Sequence, residues 1–253
     1  MDKFDSLGQR FLELTYFSNQ AISPDSQGEP IPDYIPPILG LGEEIPLPPH
    51  SEVSPKETDF RIIAEQRRSV RRYDEASALS LAELSYLLWY SQGIKKITNK
   101  RGLSLRMVPS AGCRHPFETY LAVHRVDGLQ PGLYHYVPQN NSVEVVDFAP
   151  ETLEAINHAT NDQNQVITSA VTFIWVANPY RTSWRHSSRA YRYIFIDAGH
   201  VAQNLALAAE SINCGTCAIG AYIDEEANAA LKLDGKEQFV IYLTSVGRKL
   251  SSD

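Results

Sequence analysis

An α+β fold is the expectation for this chain of 253 residues, and three features of the sequence carry it. Three strand signals follow one another with no helix between them: residues 119–126, then 133–137 after the turn residues Asp127 and Gly128, then 143–147. A continuous apolar run from Val171 to Ala177 fits a strand buried on both faces, and Pro179 closes it. Residues 190–212 form one long helical pattern, with Ile194, Ala198, Val201, Leu205, Ala209 and Ile212 at helical spacing and Phe195, Ala202 and Ala206 widening the apolar surface. Such a helix belongs at the centre of a domain or in an interface.

The other elements fall around these. Residues 22–55 carry Pro30, Pro32, Pro36, Pro37, Pro46, Pro48, Pro49 and Pro55, a density that excludes helix and favours extended, partly polyproline chain. The chain therefore divides into an N-terminal Pro-rich extended arm, 1–53, and a folded domain, 54–253. Ser54, Pro55 and Glu57 read as N-cap, first-turn proline and capping-box acid of a short helix reaching about Gln66. Ser80 and Glu83 make a second capping box ahead of Leu84, Leu87 and Leu88. A helix over 150–159, a strand over 214–222, a helix capped by Asp224 and a last strand over 239–246 complete the pattern.

Composition narrows the function. A net charge of −7 opposes broad binding to nucleic acid or anionic membrane. Neither a signal-peptide core nor an apolar run long enough to span a bilayer is present, so the expectation is a cytoplasmic protein. Three cysteines do not make a disulfide framework, and Cys214 and Cys217 lack the further ligands of a zinc site, so no metal is expected.

Against this acidity stands the run Arg67-Arg68-Ser69-Val70-Arg71-Arg72. Arginine forks match phosphate oxygens, and a serine hydroxyl adds a donor, so the run reads either as a site for a compact anion or as a solvated charge run at a helix end. Val108-Pro109-Ser110-Ala111-Gly112 is either a turn or a small-residue loop that lets backbone approach a planar ligand. Gly215 to Gly220 either offers backbone N–H groups to a ring edge or is tight packing, and the polar seam Asp197, His200 and Asn204 on the long helix reads as a satisfied buried network or as a site. No Gly-rich dinucleotide or P-loop fingerprint, zincin helix or nucleophile elbow occurs. A bound phosphate would be held by side chains.

The order of Arg67 to Arg71, Pro109 to Gly112, Gly132 to Tyr136, Tyr191 to Asn204, Cys217 to Gly220 and Gly247-Arg248 resembles the nitroreductase superfamily, and within it the SagB/ThcOx-type dehydrogenases, which oxidise azolines in peptides to azoles. The resemblance runs from about residue 54 to the C-terminus. It implies a three-layer sandwich with a central, mainly antiparallel sheet flanked by helices, an intertwined homodimer, and FMN contacting both chains. It further implies that Arg67, Arg68, Ser69 and Arg71 hold the phosphate, ribityl chain and pyrimidine edge. Pro109, Ser110, Ala111 and Gly112 would approach from the partner chain, Ile219 and Gly220 would lie near flavin N5, and Arg248 with Lys249 would close on the phosphate.

One departure bears on activity. Where azole-forming relatives carry a Lys-Tyr pair, this chain has Arg185 and His186. A guanidinium stays protonated and cannot serve as a base, whereas His186 can. The expected activity is hydride transfer through flavin N5, from a small-molecule or peptide substrate. The alternatives are an NAD(P)H-dependent nitro or quinone reductase and a non-catalytic flavin-binding partner in a peptide-modifying complex.

Overall fold

The computed structural model describes residues 3–32, 44–98 and 103–250. Its centre is one seven-stranded sheet in the order β1-β6-β5-β4-β7-β9-β8, comprising β1 (Glu44–Pro46), β4 (Phe117–Val123), β5 (Gly132–Val137), β6 (Ser142–Asp147), β7 (Val171–Ala177), β8 (Cys214–Ile219) and β9 (Phe239–Arg248). Every ladder in it is antiparallel. A separate hairpin pairs β2 (Ile94–Ile97) with β3 (Ser104–Arg106).

Helices cover both faces, as a three-layer sandwich requires. Phe173 and Trp175 of β7 point into the larger core with α3 (Leu81–Gln92) and α7 (Ala190–Ser211), while Ile174 and Val176 point into the smaller core with α4 (Pro150–Ala159), α5 (Asn164–Ile167) and α8 (Asp224–Ala230). Two apolar faces are why the strand shows no polar alternation. The capping box of Ser80 and Glu83 forms at the start of α3, and Pro179 both ends the β7 segment and opens α6 (Pro179–His186).

Strand ends shift by one to three residues from the sequence expectation, with β4 at Phe117–Val123, β8 at Cys214–Ile219 and β9 at Phe239–Arg248, and three helical features also differ. The helix expected from Ser54 begins later, as α2 (Phe60–Gln66), because Asp59 accepts the Arg61 amide at 2.9 Å and takes the cap; Glu57 accepts the Thr58 and Asp59 amides instead. Asp224 is the first residue of α8, and Ile223 occupies the cap position. The arm is not extended throughout: α1 (Lys3–Leu14) precedes its first proline, where Leu7, Phe11 and Leu14 recur at helical spacing. Arg192 and Arg189 of the α7 region hold its end by hydrogen bonds to the carbonyls of Leu12 and Thr15. Farther along, β1 joins the edge of the sheet beside β6. Pro36 and Pro37 lie outside the described residues.

The smaller core contains a charged triad. His135 on β5 bridges Glu144 of β6 through Nδ1 and Glu118 of β4 through Nε2, both at 2.9 Å, and Glu118 also meets Arg181 of α6 at 2.5 Å. Burial disfavours the imidazolium, but the two carboxylates outweigh it and lift the His135 pKa to about 9. The contribution to stability is complete below about 6.5, the ordinary value, and is lost as pH rises through about 9. His115 and His124 act oppositely, because burial first and neighbouring arginines second push their pKa values down to about 3 and about 4. Below 6.5 the unfolded chain takes up those protons first, and stability falls with pH.

Denaturant midpoints are therefore expected to peak near pH 6.5. Replacing His135 by Gln should cost ~3 kcal/mol there by leaving two buried carboxylates short of a counter-charge. The gap to the parent should close by about pH 9.5. A gap that stays constant over this range would contradict a charged His135.

Candidate functional site

The cationic run is fixed to the sheet by two buried side chains that alternate with the arginines. Val70 donates its amide to the Thr216 carbonyl at 2.8 Å, and Ser69 makes a parallel bridge with Thr216. The Tyr73 hydroxyl meets the Val70 carbonyl at 2.9 Å and Ser245 Oγ at 2.8 Å, and burial raises its pKa. Glycine makes the approach possible. A Cβ on Gly215 would lie 2.6 Å from Val70, and one on Gly247 would lie 2.7 Å from the Tyr73 ring.

With Val70 and Tyr73 inside, Arg68, Ser69, Arg71 and Arg72 are exposed and Arg67 is half-buried. Arg67 and Ser69 line a pocket of ≈ 130 Å³ with Gly199 and Ala202 of α7, Thr216 of β8 and Tyr242 of β9. Thr244 Oγ1, in the same wall, is buried and has no hydrogen-bond partner among the described residues. A cationic pocket with an orphaned hydroxyl fits a polar, anionic ligand. Its volume is below the ~300 Å³ of a small-molecule site.

The second group lies elsewhere in the chain. Asp197 of α7 accepts Ser110 Oγ at 2.6 Å and the Ala111 amide at 3.3 Å, and His200 of the same polar seam is exposed. Burial raises the Asp197 pKa while these two donors oppose it. Gly112 touches the end of α6: a Cβ there would meet Arg185 Cδ and His186 Nε2, each at 2.8 Å. Positive φ values at the non-glycine residues Cys113 (+53°), His115 (+45°) and Ser187 (+49°) place backbone strain in the loop after Gly112 and directly after His186.

His186 lies edge-on to Tyr193, with ring centroids 5.0 Å apart, and its Nε2 is buried without a partner among the described residues. Burial, then Arg185 and Arg114, lower its pKa against the opposing backbone of Ala111, so the ring is a neutral base near pH 7. Arg185 is half-exposed and pairs with Asp25 of the N-terminal segment at 3.3 Å.

The structure thus sorts the expected site residues into two places, with Arg67 and Ser69 in one and Pro109 to Gly112, Arg185 and His186 in the other. Ile219 is buried at the end of β8, and Gly220 beside it is open, with only Tyr242 at 3.9 Å from an added Cβ. Arg248 and Lys249 do not join the cationic run. Arg248 Nη2 donates to both carboxylate oxygens of Glu83 at 2.6 Å, and Lys249 pairs with Glu210, so carboxylates of α3 and α7 already satisfy both. Thr216, Tyr242 and Thr244 were not foreseeable as lining residues, since only strand register brings them beside Arg67. Cys214 and Cys217 are free thiols, and burial raises both pKa values, that of Cys214 to about 12. Among the described residues no three His, Cys, Asp or Glu side chains converge as metal ligands, and no helix is long and apolar enough to cross a membrane.

The fold is an antiparallel three-layer sandwich, with a pocket lined by Arg67 between its long helix and the β8 edge of the sheet. The profile of the nitroreductase family matches residues 64–248, and the chain belongs to that family of flavin-dependent oxidoreductases. It is 36% identical over 217 residues to a candidate nitroreductase of Methanocaldococcus jannaschii, covering 84% of this chain and 100% of that one. It is 31% identical over 139 residues to the trifolitoxin-processing protein TfxB of Rhizobium leguminosarum bv. trifolii, covering 52% of this chain and 37% of that protein. Among solved structures, a candidate nitroreductase of Anabaena variabilis superposes with a TM-score of 0.65 at 26% identity, covering 82% of this chain and 42% of the other. The Escherichia coli microcin synthetase McbBCD complex shares the fold at a TM-score of 0.62 and 17% identity, over 99% of this chain and 95% of that one. An FMN-bound candidate nitroreductase of Exiguobacterium sibiricum shares it at 0.56 and 17%, over 79% and 93%.

The contact between Val70 and Gly215 gives a direct test of how the run is held. Gly215→Ala should cost ~1–3 kcal/mol through overpacking against Val70. Adding Val70→Ala should return part of that loss, and thermal unfolding of the two single variants and the double variant measures the coupling. Strict additivity would show that the two residues do not touch.

Proposed function

We propose that the protein is an FMN-dependent oxidoreductase of the SagB/ThcOx type, a homodimer in which Arg67 to Arg71 of one chain and Pro109 to Gly112 of its partner enclose the flavin. The observation that carries this reading is the Arg67–Ser69 pocket, cationic, provided with an orphaned hydroxyl and too small to enclose a flavin alone. Nearby α7 leaves Phe195 57% and Ile196 50% exposed, apolar surface of the kind a second copy would cover.

In this assignment Arg67, Arg68 and Ser69 take the phosphate and ribityl groups, Arg71 lends positive charge to the pyrimidine edge, and Ile219 and Gly220 lie by the ring. Bound FMN supplies hydride transfer at N5. The chain's own part is orientation and proton movement. His186, whose pKa is lowered by burial, is the proposed acceptor of the proton that leaves the substrate, a role closed to the guanidinium of Arg185. The substrate class proposed is an azoline heterocycle in a peptide, and it is supported by the peptide-processing names of TfxB and the microcin synthetase. A second reading, NAD(P)H-dependent reduction of nitro compounds or quinones, is favoured by the Methanocaldococcus jannaschii relative.

Replacing Arg67 and Ser69 together by Ala should release the flavin from purified protein, as measured by absorbance after desalting. Retention at parental affinity would sink the phosphate assignment. His186→Ala should slow substrate oxidation by ~10²-fold or more with the flavin spectrum unchanged. NAD(P)H-driven nitroaromatic reduction should survive in that variant, and a parental oxidation rate would instead put the reductase reading first.

A further inference from the structure

A cavity of ≈ 610 Å³ opens beside the Pro109 to Cys113 loop, and its walls place a buried cation against apolar surface. Leu105, Met107 and Val108 form much of the lining, with Arg106 and His115 deeper and the exposed Lys95 at the rim. Arg106 is 6% exposed. Its Nη1 donates to the neutral amide oxygen of Gln92 at 2.9 Å, and its Nε has no partner among the described residues.

The neighbouring carboxylates are already committed. Glu118 serves Arg181 at 2.5 Å and His135 at 2.9 Å, and Glu144 serves the other face of His135 at 2.9 Å. Glu118 also acts on Arg106 through space, but three cations, Arg106, Arg181 and His135, share two carboxylates, and Arg106 is the one in direct contact only with a neutral acceptor. A buried cation that shares its counter-charge with two others and touches no carboxylate stays under-compensated for the water it has lost. His115 adds no charge, since burial and Arg106 keep it neutral.

We propose that this cavity is an anion-recognition site, in which Arg106, assisted by Lys95 at the rim, binds the carboxylate or phosphate of a small ligand whose apolar part lies on Leu105, Met107 and Val108. The anion replaces the missing counter-charge, and a guanidinium fork is suited to either group. The lining selects an apolar acid or phosphate ester over inorganic ions. Because Pro109 and Ser110 belong also to the proposed flavin enclosure, the assignment of this ligand as substrate or nicotinamide donor rests on that reading; the anion site itself does not.

The test is thermal unfolding of the full-length protein at constant ionic strength with benzoate, phenyl phosphate, methyl benzoate, NAD⁺ or NADP⁺, with flavin content measured on the same samples. Benzoate or phenyl phosphate should raise Tm by ~2–4 °C at concentrations well above Kd, and methyl benzoate should not. A response to NADP⁺ but not NAD⁺ identifies a dinucleotide phosphate as the source, and a response to benzoate alone identifies a carboxylate substrate. Arg106→Met should unfold at the parental temperature or above when no anion is present, and should lose the anion response. Lys95→Gln, which alters only the rim, should weaken anion affinity ~3–10-fold, and it keeps the test intact if Arg106→Met does not fold. Absence of any anion response in flavin-loaded protein overturns the site while leaving the flavin assignment standing. An Arg106-dependent response in protein that binds no flavin supports the site and overturns the other.

Discussion

The candidate site depends on how closely an irregular cationic segment can approach the sheet. Four arginines within six residues repel one another, and nothing in helix or strand propensity would hold them along one path. Val70 and Tyr73 do so by sinking into the space left by Gly215 and Gly247, where any side chain larger than hydrogen would collide. The backbone bond from Val70 to Thr216 then sets the register, so Arg67 and Ser69 face α7 across the end of the sheet. Packing of two apolar residues thus determines where the charge is displayed.

Charge elsewhere follows a different rule. Inside the smaller core, carboxylates on β4 and β6 enclose His135 and the β4 carboxylate, Glu118, reaches Arg181, tying α6, and with it the His186 segment, to three adjacent strands. Arg114 reinforces the same anchor, donating Nε to the Arg181 carbonyl at 2.7 Å and stacking 4.8 Å from the centre of the Trp184 ring. Ion pairs desolvated to this degree contribute little net free energy, but they penalise any arrangement that separates them. The helix that presents His186 is for that reason fixed in place as well as packed.

Periodicity and capping made much of this architecture legible. The apolar run of β7, the Ser80–Glu83 box and the long α7 pattern each have one structural solution, and the structure adopts it. Local signals failed where two candidates competed, as when Asp59 took the cap expected at Ser54, and where a composition bias masked a short element, as with α1 ahead of the prolines. The arginine run and the Ser110 loop were visible as motifs, yet the threonines beside Arg67 and the carboxylate of Asp197 beneath Ser110 depend on register and helix rotation, which no local pattern encodes. Arg248 shows the converse. A basic dipeptide near the end of the chain carries no sign of the Glu83 carboxylate that claims it.

The two edges of the sheet bear on the protein's behaviour in concentrated solution. A bare edge strand is a template for another chain, and both edges here are occupied by short irregular pieces of the same molecule: Ser69 beside β8, and Glu44 to Pro46 beside β6. Pro46 has no amide hydrogen to offer outward, and the acceptor-only carboxylate of Glu44 is turned inward to Ser142 and Asn140. The outer edge formed by residues 44–46 is thus poorly suited to continuing the sheet into another chain, because Pro46 terminates hydrogen-bonded growth.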